Sequence, residues 1–394
     1  MNNNNNLNLA LIPKELTFIL EILNEKSDDL LLQKSEVWLK EIDWHLFFKQ
    51  AMHHRVYPLL FSKLKKHENL VPLNVLQTLQ HEYKRNTFQM LHLTAEMEKV
   101  SELLTDHHIQ ILFLKGPMLG SELYGDISLR TSGDLDVLVP LEKLSKVEDI
   151  LIQNGYEKND YFQTVLSDWK WRHHHITFFH PKTNIKLEVH WRLNPGPSME
   201  PCFNELWERK RISEITSYPT YILGNEDLFF FLVTHGARHG WSRLRWLIDI
   251  HQIVKKEQDW VALNKTLRKY HYQQLGGQAM LLSSELLGTT ISKGMKPLIQ
   301  GSHSKQLAQK TIFYLERMVN LHTEPVPEDI SKFHQRYLYS LMSTQQKFLY
   351  ILSWMYPYPT DVETLPLPKK IHFLYFPLRP ILCMWRKMRK QAFS

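Results

Sequence analysis

The chain is poor in cysteine: Cys202 and Cys383 are the only two, and they stand far apart. That count rules out a disulfide framework or a thiolate metal cluster and suits a reducing cytoplasm. No uninterrupted apolar run reaches the ~18 residues of a membrane span, so no transmembrane helix is expected. The opening MNNNNN has no basic residues ahead of an apolar run, so it is no secretory signal and reads as a disordered leader over 1–8. Acidic residues are missing from Thr364 onward, where seven basic ones stand: Lys369, Lys370, Arg379, Arg386, Lys387, Arg389 and Lys390. Without those seven, the basic residues equal the 41 acidic ones, so the net charge of +7 belongs to the tail. A nucleic-acid enzyme usually spreads positive charge over its working face, so this distribution argues against a nucleic-acid partner.

What is present suffices for a large core. The 394 residues are 43% hydrophobic and include 11 Trp, 16 Tyr and 19 Phe, a globular rather than disordered composition. Apolar spacing predicts helices over 1–108, including one long helix from about 73 to 105. The alternating stretch 109–200 reads as mixed α/β: a strand over 110–114, a short helix over 117–123, a strand over 134–139, a helix over 141–154 and a hairpin around Pro181. From 201 to 365 the pattern turns helical again, with 226–237, 244–255, 260–270 and 278–287 clearest. A basic, aromatic tail follows over 366–394. The expected class is α+β, a small mixed sheet flanked by helical regions.

Residues 113–139, FLKGPMLGSELYGDISLRTSGDLDVLV, carry the chemistry. Side chains alternate along a strand, so Asp134 and Asp136 share one face while Leu135, Val137 and Val139 point inward. Two adjacent carboxylates repel unless a cation sits between them, which points to a divalent ion. Magnesium suits hard oxygen ligands, so Asp134 and Asp136 are assigned to one or two Mg²⁺ ions. In the strand IKLEVHWR, Ile185, Leu187, Val189 and Trp191 form the apolar face, which leaves Glu188 opposite as the third carboxylate, a ligand or a base. His190 and Arg192 share its face and are candidates to touch substrate.

Gly116 lets a backbone approach a phosphate, and the helix opening at Pro117 offers free N–H groups. Lys115 and Arg130 are assigned to the triphosphate, Arg130 with the alternative of a structural pair with an Asp. One histidine of 173–175 should face the active side of the sheet. His235 and His239 stand at i, i+4, but no metalloprotease Glu follows His235, so the segment reads as a buried polar helix rather than a zinc site. The tail mixes aromatic and aliphatic residues with basic flanks, which suits either an anionic membrane surface or a basic helix covering the core.

The order of a helix-opening glycine, Asp-x-Asp in a strand and a lone carboxylate in a later strand resembles the DNA polymerase beta-type nucleotidyltransferase superfamily. Within it, the chain is most similar to a bacterial group with flanking helical regions. The shared features are Leu114-Lys115-Gly116, Arg130 ahead of Gly133-Asp134-x-Asp136, Glu188-x-His190-Trp191, and a later helix rich in His, Arg and Trp. The resemblance runs from about Trp44 to about Asp249. It implies NMP transfer from an NTP to a hydroxyl or phosphate acceptor, with His190, His235, His239 and Arg245 lining the acceptor or nucleotide pocket. One departure is that Lys115-Gly116-Pro117 replaces the Gly-Ser or Gly-Gly that many members use around phosphate. The spacer from Gly116 to Asp134 is also longer than in many relatives. Two alternatives stay open: a phosphotransferase using the same carboxylates, and a non-catalytic nucleotide-binding accessory protein of a biosynthetic operon.

Overall fold

A computed structural model describes residues 7–24, 39–159 and 164–392. The leader expected over 1–8 lies mostly outside them. Its last two residues are docked: Leu7 is buried, and the Asn8 amide donates to Gln309 Oε1 at 2.8 Å.

The centre is a seven-stranded mixed sheet: β1 (Leu112–Lys115), β2 (Asp134–Leu138), β3 (Glu157–Lys158), β4 (His175–His180), β5 (Ile185–His190), β6 (Arg211–Ser213) and β7 (Thr220–Ile222). Their order across the sheet is β3-β4-β5-β2-β1-β7-β6. β2 runs parallel to β5 and antiparallel to β1. β1 pairs in parallel with β7, with Phe113 opposite Ile222. The hairpin around Pro181 forms as β4 and β5, with Asn184 turning at φ 54°.

Three strands depart from the expected pattern. β3 was not foreseen, and β6 and β7 lie beyond residue 200, where only helix was expected. They are two or three residues long, too short to show an alternation, and their signal is pairing rather than sequence. The sheet therefore draws on residues from 112 to 222 and not on 109–200 alone.

Helices pack around it. The longest, α1 (Leu73–Asp106), has 34 residues and spans about 50 Å. Its Leu79, Met90, Leu93, Met97, Val100 and Leu104 are fully buried at helical spacing, so packing along one stripe holds a helix too polar to owe its length to burial all round. Buried Asn86 on the same helix donates to the carbonyls of Ser128 (2.8 Å) and Arg130 (3.2 Å), which pins the loop leading into β2. The short helix α2 (Pro117–Tyr124) follows β1. The helices α3 (Asn225–Arg238) and α4 (Leu244–Ile253) lie across the sheet's working end. One contiguous core joins the N-terminal helices, the sheet and the helices up to residue 341.

The C-terminal part is built differently. Helix α5 (Thr344–Ser353) and helix α6 (Tyr375–Ala392) add little to that core, and Tyr375 and Leu382 form a small separate cluster with Val165. Arg379 and Arg386 both pair with the fully buried Asp361, at 2.5 and 2.7 Å. Two of the seven tail cations thus anchor the tail. No described helix is long and apolar enough to cross a membrane.

Candidate active site

The parallel register of β2 and β5 sets Asp134 opposite Lys186, Asp136 opposite Glu188 and Leu138 opposite His190. Period-2 alternation then puts Asp134, Asp136, Glu188 and His190 on one face. Lys115, at the end of β1, comes up beside Asp136 from the other side.

Asp136 is the hub, with no exposure to solvent. Its Oδ1 accepts from Lys115 Nζ at 2.9 Å and from His190 Nε2 at 3.1 Å. Its Oδ2 is buried without a hydrogen-bond partner, a costly state for a carboxylate oxygen unless a ligand completes it. Asp136, Glu188 and His190 together offer one ligand atom each within 4.8 Å of one another. Asp134 stands at the mouth of the site, partly exposed, and does not join that group. Burial and the Asp136 charge raise the Asp134 carboxyl above its ordinary value, as expected of two carboxylates without a cation between them.

Glu188 sits among cations. Lys186 Nζ is 2.5 Å from Oε1, and His190 and His175 stand at 3.6 and 4.0 Å from Oε2. Burial alone would raise its pKa, but the His190 hydrogen bond and Lys115 outweigh that and hold Glu188 well below the usual carboxylate range. His190 is displaced the other way: burial disfavours its charge, yet Asp136 and Glu188 overcome this and raise it. Each shift follows from the opposite charge of its neighbour.

These groups open into a cleft of about 680 Å³. Its far wall is basic. Arg238 from the end of α3, Arg243 and Arg245 from the start of α4, and Arg55 from the turn after His53 line it together with Lys115 and Lys186. Arg245 donates to the Thr131 carbonyl at 2.6 Å, and Arg243 to the His53 carbonyl at 2.7 Å, so both forks are aimed by backbone. The Nε atoms of Arg238 and Arg245 are buried and unpartnered. Burial lowers Arg238 to about 10, and burial with nearby Arg130 lowers Arg245 to about 9, the mark of cations short of counter-charge. An oxyanion with several negative charges would relieve all of them at once.

His235, His239 and Arg245 line the cleft, and Trp246 packs on both imidazoles at ring-centroid distances of 5.6 and 5.1 Å. Burial holds both histidines well below their ordinary value, hence neutral. Among the described residues the two belong to no group of three ligand atoms within 4.8 Å of one another. His174 and His175 both face the cleft, where one histidine of the triplet had been expected.

Arg130 departs from the expected phosphate role. It is almost fully buried, and its guanidinium meets Asp249 at two points, Nε–Oδ1 and Nη2–Oδ2, each 2.9 Å. Tyr124 completes the group by donating to Asp249 Oδ1 at 2.8 Å. The guanidinium is committed to an internal pair and has no free edge for phosphate. Gly116 is also set back: Lys115 and Gly133 line the cleft, with Gly116 behind. Its φ of 114° and ψ of −153° are accessible to glycine alone, so the turn that swings Lys115 toward Asp136 requires that residue. Arg192 turns away to Ser198 and Glu200.

Arg55 and Arg238 were not singled out in the sequence, and Lys186 and Arg243, though on the polar strand face and in the later His/Arg/Trp segment, were given no role of their own. Arg238 and Arg243 flank His239 in the HGARHGWSRLRW segment, and a wheel of α3 would have put Arg238 on the face of His235. No local signal marks Arg55.

A family model described as uncharacterised nucleotidyltransferase matches residues 40–288, which contain every residue of this cleft except Asn320 and His322. The chain belongs to that nucleotidyltransferase family. The match starts ahead of Arg55 and ends after α4, so it spans the whole sheet and the arginines from Arg55 to Arg245. A search of curated proteins returns no match. Family membership makes the chain a transferase acting on a nucleoside triphosphate.

Proposed function

We propose that the protein transfers an NMP from an NTP to a hydroxyl or phosphate of a small molecule, peptide or protein, with release of pyrophosphate, in the manner of DNA polymerase beta-type enzymes. The observation that carries this is the register pairing of Asp136 with Glu188, with an unpartnered, buried Asp136 Oδ2 on a carboxylate bound by Lys115 and His190, which line the basic cleft. Asp134, Asp136 and Glu188 would hold Mg²⁺, whose chemistry is to polarise the α-phosphate and stabilise charge on the attacking and leaving oxygens.

The protein's own groups divide the remaining work. Arg238, Arg245 and Lys186 neutralise the triphosphate and set the α-phosphorus against the carboxylate edge. Lys115 balances Asp136 until a cation arrives. His190 donates to Asp136 and fixes its orientation. Glu188, ionised by its cationic neighbours, is the group placed to take the proton from the acceptor hydroxyl. His235, His239 and Trp246 offer a neutral, partly aromatic wall to the base or the acceptor.

Incubating the protein with each NTP labelled at the α-phosphate, in cell lysate with Mg²⁺, tests the reading. A labelled product should form with the wild type and not with the Asp134→Ala/Asp136→Ala variant. Release of ADP with transfer of a γ-phosphate would replace this reading with phosphotransfer. Tight NTP binding without turnover on any acceptor would replace it with an accessory role.

We also propose that residues 344–392 rest on an anionic membrane, on the cytoplasmic side where NTP is available. The exposed residues Ile381, Met384, Trp385 and Met388 lie at i, i+3, i+4 and i+7, an outward apolar stripe on α6. Phe348, Ile351, Leu352 and Met355 make a second stripe along and just past α5. Lys369, Lys370, Lys387 and Arg389 are exposed beside them. Apolar stripes flanked by cations match the chemistry of an acidic lipid surface.

A further inference from the structure

Three imidazoles crowd the edge of the cleft beside the carboxylates. His174 and His175 precede and open β4, and His190 ends β5 directly across from His175. One ring nitrogen from each lies within 4.8 Å of the others. The ring centroids are 4.4, 4.9 and 5.4 Å apart.

We infer that His174, His175 and His190 form a second cation site, for a borderline divalent ion of the zinc class, distinct from the oxygen site for magnesium. Imidazole nitrogen suits Zn²⁺, Co²⁺ and Ni²⁺ and is a poor ligand for Mg²⁺. Two observations support the site. First, His174 Nε2 and His175 Nδ1 are 3.2 Å apart, close to the ~3.3 Å edge between two ligands of a tetrahedral ion with bonds of ~2.0–2.1 Å. Second, His190 Nε2 is committed to Asp136 at 3.1 Å, and its Nδ1 is buried with no partner. A histidine that donates one N–H to a carboxylate and keeps the other nitrogen free is the usual arrangement of a metal-ligating imidazole.

The group that competes for this place is Arg238, whose Nη1 donates to His174 Nε2 at 2.9 Å. Arg238 also lines the basic wall, so the same side chain serves either the imidazole or an anion in the cleft. Binding of an anion that draws Arg238 away frees His174 for the ion. Three nitrogen ligands leave a fourth position toward the cleft, open to a water or to the acceptor's own oxygen.

The site rests on ligand geometry and not on turnover, so it is tested apart from nucleotidyl transfer. The full chain, stripped with a chelator, is titrated with Co²⁺ in excess Mg²⁺, reading visible ligand-field absorption and bound cobalt after equilibrium dialysis. One Co²⁺ per chain should be retained against Mg²⁺. His174→Gln and His175→Gln should each weaken retention at least ~10-fold, with unchanged far-UV circular dichroism. Asp134→Asn should retain the ion. Failure to retain Co²⁺ over Mg²⁺, or retention by the His174→Gln/His175→Gln double variant, would reduce the cluster to a hydrogen-bonded histidine network. Loss in Asp134→Asn equal to that in the histidine variants would place the ion at the carboxylates and also overturn the inference. Cobalt retention with no product from any NTP would spare this site and count against the transfer reading alone.

Discussion

Arg130 and Asp249, 119 positions apart in the chain, meet in a two-point ion pair from which both side chains exclude solvent. The pair ties the loop before β2 to α4 and so joins the carboxylate strand to the basic wall. Removing one partner leaves the other charge buried and alone. Asp249→Ala and Arg130→Ala should each cost about 3–5 kcal/mol of stability in urea titrations. The Arg130→Met/Asp249→Leu double variant should cost less than the sum. A single variant that keeps its unfolding midpoint and only raises the KM for NTP would instead restore Arg130 to the phosphates.

Lys115 Nζ pairs with Asp136 Oδ1 at 2.9 Å. A divalent ion held by Asp136, as proposed, would share or displace that contact. Lys115→Met should therefore tighten binding of Mn²⁺ alone by roughly tenfold while weakening NTP binding by a similar factor, about 1.4 kcal/mol each way. Calorimetric titrations of the two ligands, done separately, check the opposed signs. Chelator treatment should abolish transfer in the wild type, and added Mg²⁺ should restore it.

The basic wall makes its own prediction. Arg245→Gln and Arg238→Gln should each weaken NTP binding by about 10–100-fold, the loss of one charge-assisted contact. Because burial already disfavours these cations, the variants should keep or raise the thermal midpoint of the nucleotide-free protein. Saturating NTP should raise the wild-type midpoint more than that of either variant.

Stability should also respond to acid. Burial and Arg243 lower His53 from 6.5 to about 4 in the folded state. With a depressed folded value, its contribution is fully present above pH 6.5 and is lost as pH falls toward 4, because the unfolded chain takes up the proton first. Unfolding midpoints measured across that window should drop as pH falls. The His53→Gln variant should show a shallower slope.

Membrane docking is checked by co-sedimentation with acidic vesicles. Ile381→Glu/Trp385→Glu should abolish binding without shifting the unfolding midpoint, since both residues face solvent. Arg386→Ala should instead destabilise the tail, because that cation is spent on Asp361 at 2.7 Å. Wild-type protein that ignores acidic vesicles would remove the docking proposal.

The sequence made the carboxylate face of the sheet readable because a two-residue period is a local property: Asp134, Asp136, Glu188 and His190 follow from it directly. It also showed the long helix over 73–105 to within a residue of Leu73–Asp106. Facts that depend on distant pairing stayed hidden. Nothing near Arg130 announces Asp249, and a lone arginine before an Asp-x-Asp looks the same whether it meets phosphate or a buried carboxylate. Arg55 reaches the cleft only because the N-terminal helices fold over α4, where the Arg245 amide donates to the His54 carbonyl at 3.2 Å. The short strands β6 and β7 carry too few residues for a pattern of their own.

The parallel contact of Phe113 with Ile222 bears on how this molecule can be cut. A fragment excised at residue 200 would keep every carboxylate yet strip β1 of its outer neighbour, baring an apolar strand edge in the middle of the molecule. Such an edge recruits other chains. A minimal soluble piece must therefore run past Ile222, and must also include α3 and α4 if it is to hold an anion.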